Sequence, residues 1–228
     1  MRPSLPAVQS LTAGYADTSG FLALKGLFTA HVTGNFVTLG SSLVFGTRGA
    51  LAKTLALPMF CVVVFLSRLL AFRLQAAGRP AFRSLLRLQV LLLVLGSGLA
   101  VWFGPFDDPD GAAALAVGMT LVAAMAMQNA TQRTHLAQAP PSTIMTGSTT
   151  QIMLDLADMA RGLRPEMAAN TRARLKRLTV SVVVFATGCG LAALFYAQAS
   201  RWCFCLLPVL GLATLMMRSQ IAAAESRD

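Results

Sequence analysis

Two ionisable side chains near the start of the chain, Asp17 and His31, are the residues best suited to acid–base chemistry. Asp17 lies about midway along an apolar run, where an ionised carboxyl is costly unless it is paired or hydrated. It either carries a coupling proton or caps a helix break near Gly14 and Gly20. His31 could relay a proton or contact a substrate, because histidine changes charge near neutral pH; a structural role at a helix end is the alternative.

Three further polar side chains lie within or beside apolar runs: Arg68, Gln128 and Asn129. Arg68 could hold an anionic substrate or pair with Asp17, or it could extend its charged end to the lipid headgroups. Gln128 and Asn129 either line a polar site or form hydrogen bonds between helices, which contribute on the order of 0.6 to 2 kcal/mol. The residues alone leave these alternatives open.

Two Thr-Gly steps, Thr33-Gly34 and Thr146-Gly147, lie 113 positions apart. The same shift, with no gap, aligns further identical residues: Thr18 with Thr131, Leu43 with Leu156, Arg48 with Arg161 and Phe72 with Phe185. This predicts an internal repeat with halves of about 1–105 and 112–228. Helices that begin at these steps would direct unpaired N–H groups at the contents of a cavity, with Asn35 beside the first. The alternative is that each step caps a surface loop.

The composition predicts an all-α integral membrane protein that forms a single membrane domain over residues 1–228. Hydrophobic residues make up 55% of the chain and charged residues 12%, about half the charged share of a soluble protein. A soluble core of this size cannot enclose so much apolar surface, so much of it must face lipid. The net charge of +10 lies mainly between the apolar runs, where lipid headgroups and membrane orientation account for it and nucleic acid is not needed as a partner.

Six apolar runs are long enough to cross a bilayer, which takes about 20 helical residues. They cover residues 7–24, 51–72, 85–103, 112–130, 178–196 and 202–217. With six spans, the basic segments 73–87 and 161–177 share the side of both termini, opposite the acidic loop 107–110. If the polar segments 29–45 and 142–160 also crossed, these charges would fall on the wrong sides. Six spans with both termini in the cytoplasm are therefore predicted.

Three spans in each half require the two halves to be oppositely oriented. The predicted fold is thus a 3+3 inverted repeat, a plan common among secondary transporters, with an extra polar Thr-Gly segment in each half. Irregular backbone at membrane depth is tolerated only where it is buried in protein or lines a hydrated cavity. These segments therefore either re-enter the membrane or lie at its surface.

Four segments carry a resemblance to a known family. They are AGYADTSGF at 13–21, FTAHVTGN at 28–35, MQNA at 127–130 and TIMTG at 143–147. In these segments the chain resembles the YoaK family, bacterial multi-pass membrane proteins grouped under domain of unknown function 1275. The resemblance implies a six-span protein of the inner membrane and brings no established substrate. Ser148 stands where the family more often has asparagine, as at Asn35.

The leading functional hypothesis is a small secondary transporter or permease for an unidentified small solute, coupled to protons through Asp17. The candidate substrate and coupling residues are Asp17, His31, Thr33, Gly34, Asn35, Gln128, Asn129, Thr146 and Gly147, with Arg68 as an anion contact. Membrane lipids and a small solute are the expected partners. A second copy of the chain is a further one, because six spans are half of a typical twelve-span carrier.

The alternative hypothesis is a non-transporting membrane partner or regulator that docks through a cytoplasmic basic loop, from Arg161 to Arg177. An enzyme is not predicted, because the sequence contains no nucleophile elbow, phosphate-binding loop or paired catalytic groups. The four cysteines and two histidines match no metal-ligand spacing, so neither a metal nor a cofactor is predicted.

Overall fold

The computed structural model describes residues 4–162 and 164–225 and consists, over these residues, of helices joined by loops. The α-helices are α1 (Leu5–Ala23), α2 (Gly34–Phe45), α3 (Ala50–Ala76), α4 (Ala81–Phe103), α5 (Ala112–His135), α6 (Met145–Arg161), α7 (Pro165–Ala199), α8 (Leu206–Met216) and α9 (Arg218–Glu225). A 3₁₀ helix, Ser200–Cys205, joins α7 to α8. The predicted class, an all-α membrane protein, is confirmed.

Four helical segments among the described residues are long and apolar enough to cross a membrane. They are Ala50–Ala76, Ala81–Phe103, Ala112–His135 and Met167–Met216. The last is 50 residues long and covers the predicted span 178–196 and all but the final residue of 202–217, because α7, the 3₁₀ helix and α8 follow one another directly. The first predicted span, 7–24, corresponds to α1, which is too polar to meet the same criterion.

The polarity of α1 is explained by its position inside the bundle, against α5, α7 and α8. Most of its residues are buried, including five polar ones: Gln9, Ser10, Thr12, Asp17 and Ser19. Hydroxyl groups in this set donate to carbonyl oxygens one turn earlier, as Thr12 does to Val8 at 2.9 Å. A helix enclosed by protein in this way needs no continuous apolar face toward lipid.

Two glycines allow α1 and α7 to approach each other closely. A Cβ atom on Gly14 would lie 2.2 Å from the carbonyl oxygen of Phe185, and one on Gly188 would lie 2.4 Å from that of Leu11. No side chain can occupy that space, so glycine is required at both positions. Small residues at helix contacts are the usual means of close packing in membrane proteins.

The long helices differ in their position in the bundle. Inside the bundle, 61% of the apolar window of α5 is buried, against 17% for α3, so α5 is central and α3 is peripheral. The outer face of α3 exposes large apolar side chains suited to contact with lipid. They are Val62, Phe65, Leu66, Leu69 and Phe72.

The basic segment 161–177 is helical over most of its length, because α7 begins at Pro165. The prediction of a loop there is therefore wrong. Proline is favoured at the first position of a helix, because a backbone N–H there would have no partner within the helix and proline has none. The Ala, Arg, Lys and Met residues that follow have high helix propensity.

Candidate functional site

The carboxylate of Asp17 holds together the loop between α1 and α2. One of its oxygens, Oδ1, accepts hydrogen bonds from the backbone N–H groups of Thr29 at 2.8 Å, Ala30 at 2.7 Å and His31 at 3.2 Å. These N–H groups belong to a loop and have no helical partner, so the charged oxygen satisfies donors that would otherwise be unpaired. α1 is continuous from Leu5 to Ala23, so the alternative in which Asp17 caps a helix break near Gly14 and Gly20 is wrong.

The second oxygen of Asp17, Oδ2, lies 2.7 Å from Nδ1 of His31. A carboxylate can only accept a hydrogen bond, so Nδ1 carries the hydrogen and Nε2 is the atom of the ring that can take up a further proton. The Asp17 side chain is 6% exposed and that of His31 is 34% exposed. The pair therefore couples a buried carboxylate to an imidazole that reaches open space.

That space is a cavity of about 500 Å³, which we name the Asp17 cavity. Its lining comes from α1, the α1–α2 loop, the start of α2 and α7: Asp17, Thr18, Phe21, Phe28, His31, Thr33, Gly34, Phe185 and Cys189. The rings of Phe21 and Phe28 are 4.8 Å apart, and Phe185 meets the His31 ring edge-on at 5.4 Å. A carboxylate–imidazole pair within aromatic walls can exchange a proton with an occupant, and the ring faces favour a cation.

Asn35 contributes to this site by holding the loop. Its Nδ2 donates to the carbonyl oxygen of Phe28 and its Oδ1 accepts from the N–H of Phe28, both at 2.8 Å. Asn35 is buried, with 2% of its surface exposed, and its two hydrogen bonds fix the position of Phe28 in the loop. Thr33 and Gly34 also line the cavity, at the point where α2 begins.

The two amides, Gln128 and Asn129, point in different directions. Gln128 is fully buried; its Nε2 donates to the Gln9 carbonyl at 2.9 Å and to Ser142 Oγ at 3.0 Å. Its Oε1 accepts from Gln89 Nε2 at 2.8 Å. These bonds connect α1, α4, α5 and the loop before α6, in the manner of interhelical hydrogen bonding. Gln89 was missed from the sequence, although an amide within the apolar run 85–103 was a usable signal.

Arg68 and Asn129 belong to a second cavity of about 380 Å³, which we name the Arg68 cavity. Arg68 does not pair with Asp17, whose oxygens bind the α1–α2 loop and His31. Its guanidinium carbon lies 4.2 Å from the centre of the Phe72 ring. The amide oxygen of Asn129 accepts from Thr143 Oγ1 at 2.9 Å.

The second Thr-Gly step, Thr146-Gly147, lies in the first turn of α6 and is exposed. It is not among the described residues that line either cavity. The structure thus brings Asp17, His31, Thr33 and Gly34 together, and it places Asn129 with Arg68 elsewhere in the bundle.

An apolar helical bundle with an enclosed polar network defines the class of the molecule as an integral membrane protein. The model of the family described as "Protein of unknown function (DUF1275)" matches residues 5–217, so the chain belongs to this family. The resemblance to domain of unknown function 1275 is thereby confirmed. No curated protein and no solved structure matches the chain.

Proposed function

We propose that the protein is a permease that exchanges a small organic cation for a proton across the bacterial inner membrane, with both termini in the cytoplasm. The observation that carries this proposal is the Asp17–His31 pair on the wall of a cavity of about 500 Å³ in an apolar bundle. Ionisable groups at membrane depth are expensive, so a functional role is their expected reason. The aromatic walls favour a cation as the solute.

Coupling follows from the change in charge of the pair. With a neutral imidazole, the pair carries one negative charge, which attracts a cation strongly where water is scarce. A proton on Nε2 of His31 neutralises the pair and removes that attraction. A proton and a cation therefore compete for one site, which is the requirement for exchange.

Within this pair, the two residues have different tasks. Asp17 accepts hydrogen bonds from three backbone N–H groups and from His31, so it positions the loop and the imidazole. His31 is the group that takes up and releases the proton, because its ring reaches the cavity. Asp17 thus supports coupling by orienting His31 and supplying the negative charge.

The six-span 3+3 inverted repeat is part of this proposal. The shift of 113 residues relates the helices in order, α1 to α5, α2 to α6, α3 to α7 and α4 to α8. The packing repeats as well, since α1 lies along α7 as α5 lies along α3. In this arrangement α1, α3, α4, α5, α7 and α8 span the membrane, and α2 and α6 are the additional segments.

The two cavities support the same relation between the halves. Three residues that line the Asp17 cavity, namely Asp17, Phe21 and His31, map by the shift onto Ala130, Thr134 and Ile144. All three of those positions line the Arg68 cavity. Inverted repeats relate such positions by a pseudo-two-fold axis in the membrane plane.

The test is proton flux in liposomes that contain the purified protein and an internal pH-sensitive dye. Addition of primary and quaternary ammonium solutes should change the internal pH for the wild type. His31→Gln removes the titrating ring and leaves the backbone bonds of Asp17 in place, so it should abolish the change. Asp17→Asn should do the same, whereas Asp158→Asn, at an exposed acid on α6, should not. Flux at the wild-type rate in His31→Gln would remove the pair from the mechanism.

A second candidate function is a membrane-bound partner protein that docks through residues 161–177. It is supported by the exposure of basic side chains on the first turns of α7, including Arg172, Lys176 and Arg177. A clustered basic face of this kind also binds anionic lipid. Co-purification of a partner that is lost on Arg172→Gln/Arg177→Gln, together with an absence of flux for every solute tested, would favour this function.

A further inference from the structure

The Arg68 cavity lies between α3 and α5, beside the start of α4 and of α6. Its volume is about 380 Å³. Most of its wall is apolar, provided by Phe60, Val64, Ala71, Leu85 and Ile144. The cavity therefore offers a hydrocarbon-like surface beside the peripheral helix α3, which faces lipid.

Two arginines, Arg68 and Arg133, line the same cavity, and both are exposed. Among the described residues, no acidic side chain lines this cavity, and neither arginine forms an ion pair. The guanidinium carbon of Arg68 lies 4.2 Å from the centre of the Phe72 ring, on the same helix. The cavity thus combines two uncompensated positive charges with apolar walls.

The hydroxyl groups of the cavity, and most of the bonding capacity of its one amide, are already used within the protein. Ser67 Oγ donates to the Val63 carbonyl at 2.6 Å, and Thr134 Oγ1 donates to the Ala130 carbonyl at 2.9 Å. Asn129 uses its amide within the bundle, since Nδ2 donates to the Met125 carbonyl at 3.0 Å. Besides the second N–H of Asn129, the donors left for an occupant are those of the two arginines, which bind carboxylate and phosphate oxygens strongly.

We infer that the Arg68 cavity binds an amphipathic anion, with its carboxylate or phosphate group between Arg68 and Arg133 and its apolar part against α3 and α5. Either a bilayer lipid or a single-chain solute carries this chemistry. The inference is independent of transport, because it concerns a cavity that does not contain the Asp17–His31 pair. Its counterpart in the other half carries the acidic pair, so the two cavities have opposite charge preferences.

The experiment is a titration followed by native mass spectrometry of the full-length protein in a neutral detergent. The probes are dioleoyl phosphatidylglycerol, dioleoyl phosphatidylcholine, decyl phosphate and inorganic phosphate. Decyl phosphate should bind, and Arg68→Gln or Arg133→Gln should each weaken its binding by about tenfold, as expected for loss of one charge-assisted contact. Arg73→Gln, at an exposed residue of α3 that does not line the cavity, should change binding by less than about twofold.

The probes also identify the source of the anion. Binding of phosphatidylglycerol in preference to phosphatidylcholine, with the same dependence on both arginines, indicates a lipid; binding of decyl phosphate alone indicates a single-chain solute. Arg68→Lys keeps the charge and should bind more tightly than Arg68→Gln, and the exposed Arg133 provides a test that does not depend on α3 packing. The inference is overturned if neither amphiphile binds, if inorganic phosphate binds as tightly as decyl phosphate, or if the arginine variants match the wild type or the Arg73→Gln control.

Discussion

Replacement of Gln128 by leucine tests whether this buried amide is structural. The substitution removes three hydrogen bonds, to the Gln9 carbonyl, to Ser142 and to Gln89. Interhelical side-chain hydrogen bonds in membrane proteins contribute about 0.6 kcal/mol each on average. Loss of all three should therefore lower the free energy of unfolding by about 2 kcal/mol.

The assay is equilibrium unfolding of the purified protein in mixed detergent micelles, followed by circular dichroism. Gln89→Leu, which removes one of the three bonds, should cost about 0.6 kcal/mol. In a double-mutant cycle the two changes should be non-additive by about the same amount, because they share one bond. Gln198→Leu, at an exposed position of α7, is the matched control and should leave stability within about 0.5 kcal/mol of the wild type. A loss below about 0.5 kcal/mol for Gln128→Leu, or a coupling energy of zero, would refute the structural role.

Three further predictions concern the packing of α1, the α1–α2 loop and the contact between α6 and α7. Gly14→Val places side-chain atoms against a carbonyl oxygen of α7 and should destabilise the protein by about 1–3 kcal/mol. Gly190→Ala adds a Cβ that meets nothing within 4 Å and should leave stability unchanged. Equal melting temperatures for the two variants would contradict this packing. Asn35→Ala removes both hydrogen bonds to the backbone of Phe28, which together stabilise the loop by about 1–3 kcal/mol. Amide hydrogen exchange of residues 28–31 should therefore accelerate, and unchanged protection would contradict this role of Asn35. Arg174 forms two hydrogen bonds to the carboxylate of Asp155 and holds the pKa of that carboxyl below its ordinary value of about 4. The stability that the Asp155 carboxylate contributes is therefore full above about pH 4 and is lost as the pH falls through the lower pKa of the folded state. Thermal unfolding between pH 3 and pH 6 should therefore show a decline toward acid that is shallower in Asp155→Asn, and identical slopes would contradict the assignment.

The helix order could be predicted from the sequence because it depends on local pattern. The repeat anchored at Thr33 and Thr146 anticipates a short helix in each half, and α2 and α6 both begin at these steps. The runs 51–72, 85–103 and 112–130 fall within α3, α4 and α5 for the same reason. Apolar length and the 113-residue shift are properties that the sequence carries directly.

The pairing of Asp17 with His31 could not be predicted, because it depends on how the loop after α1 folds back. Lys25 and Gly26 both adopt positive φ angles, at 52° and 94°, and turn the chain toward α1 again. Glycine adopts this conformation readily, but lysine seldom does, so the sequence gives only a partial signal for the turn. Asp17 and His31 were each identified as candidates, but the distance of 2.7 Å between Asp17 Oδ2 and His31 Nδ1 depends on the tertiary structure.

The roles of Arg68 and Asn129 depend equally on tertiary contacts. Their side chains share a cavity because α3 packs along α5. The sequence separation of 61 positions between them carries no signal of that contact. Arg133, which also lines this cavity, was not among the candidate site residues, because its part in the site depends on the same packing.

The central claim, that a proton and a cation compete at the Asp17–His31 pair, is tested most directly by proton release on binding. The purified protein is kept in weakly buffered detergent solution at a series of starting pH values, and a small quaternary ammonium salt is added while a dye records pH. We predict acidification that saturates with the cation and approaches one proton per site as the starting pH is lowered. His31→Gln should release none. Binding of the cation without any release of protons, or equal release by His31→Gln, would contradict the account.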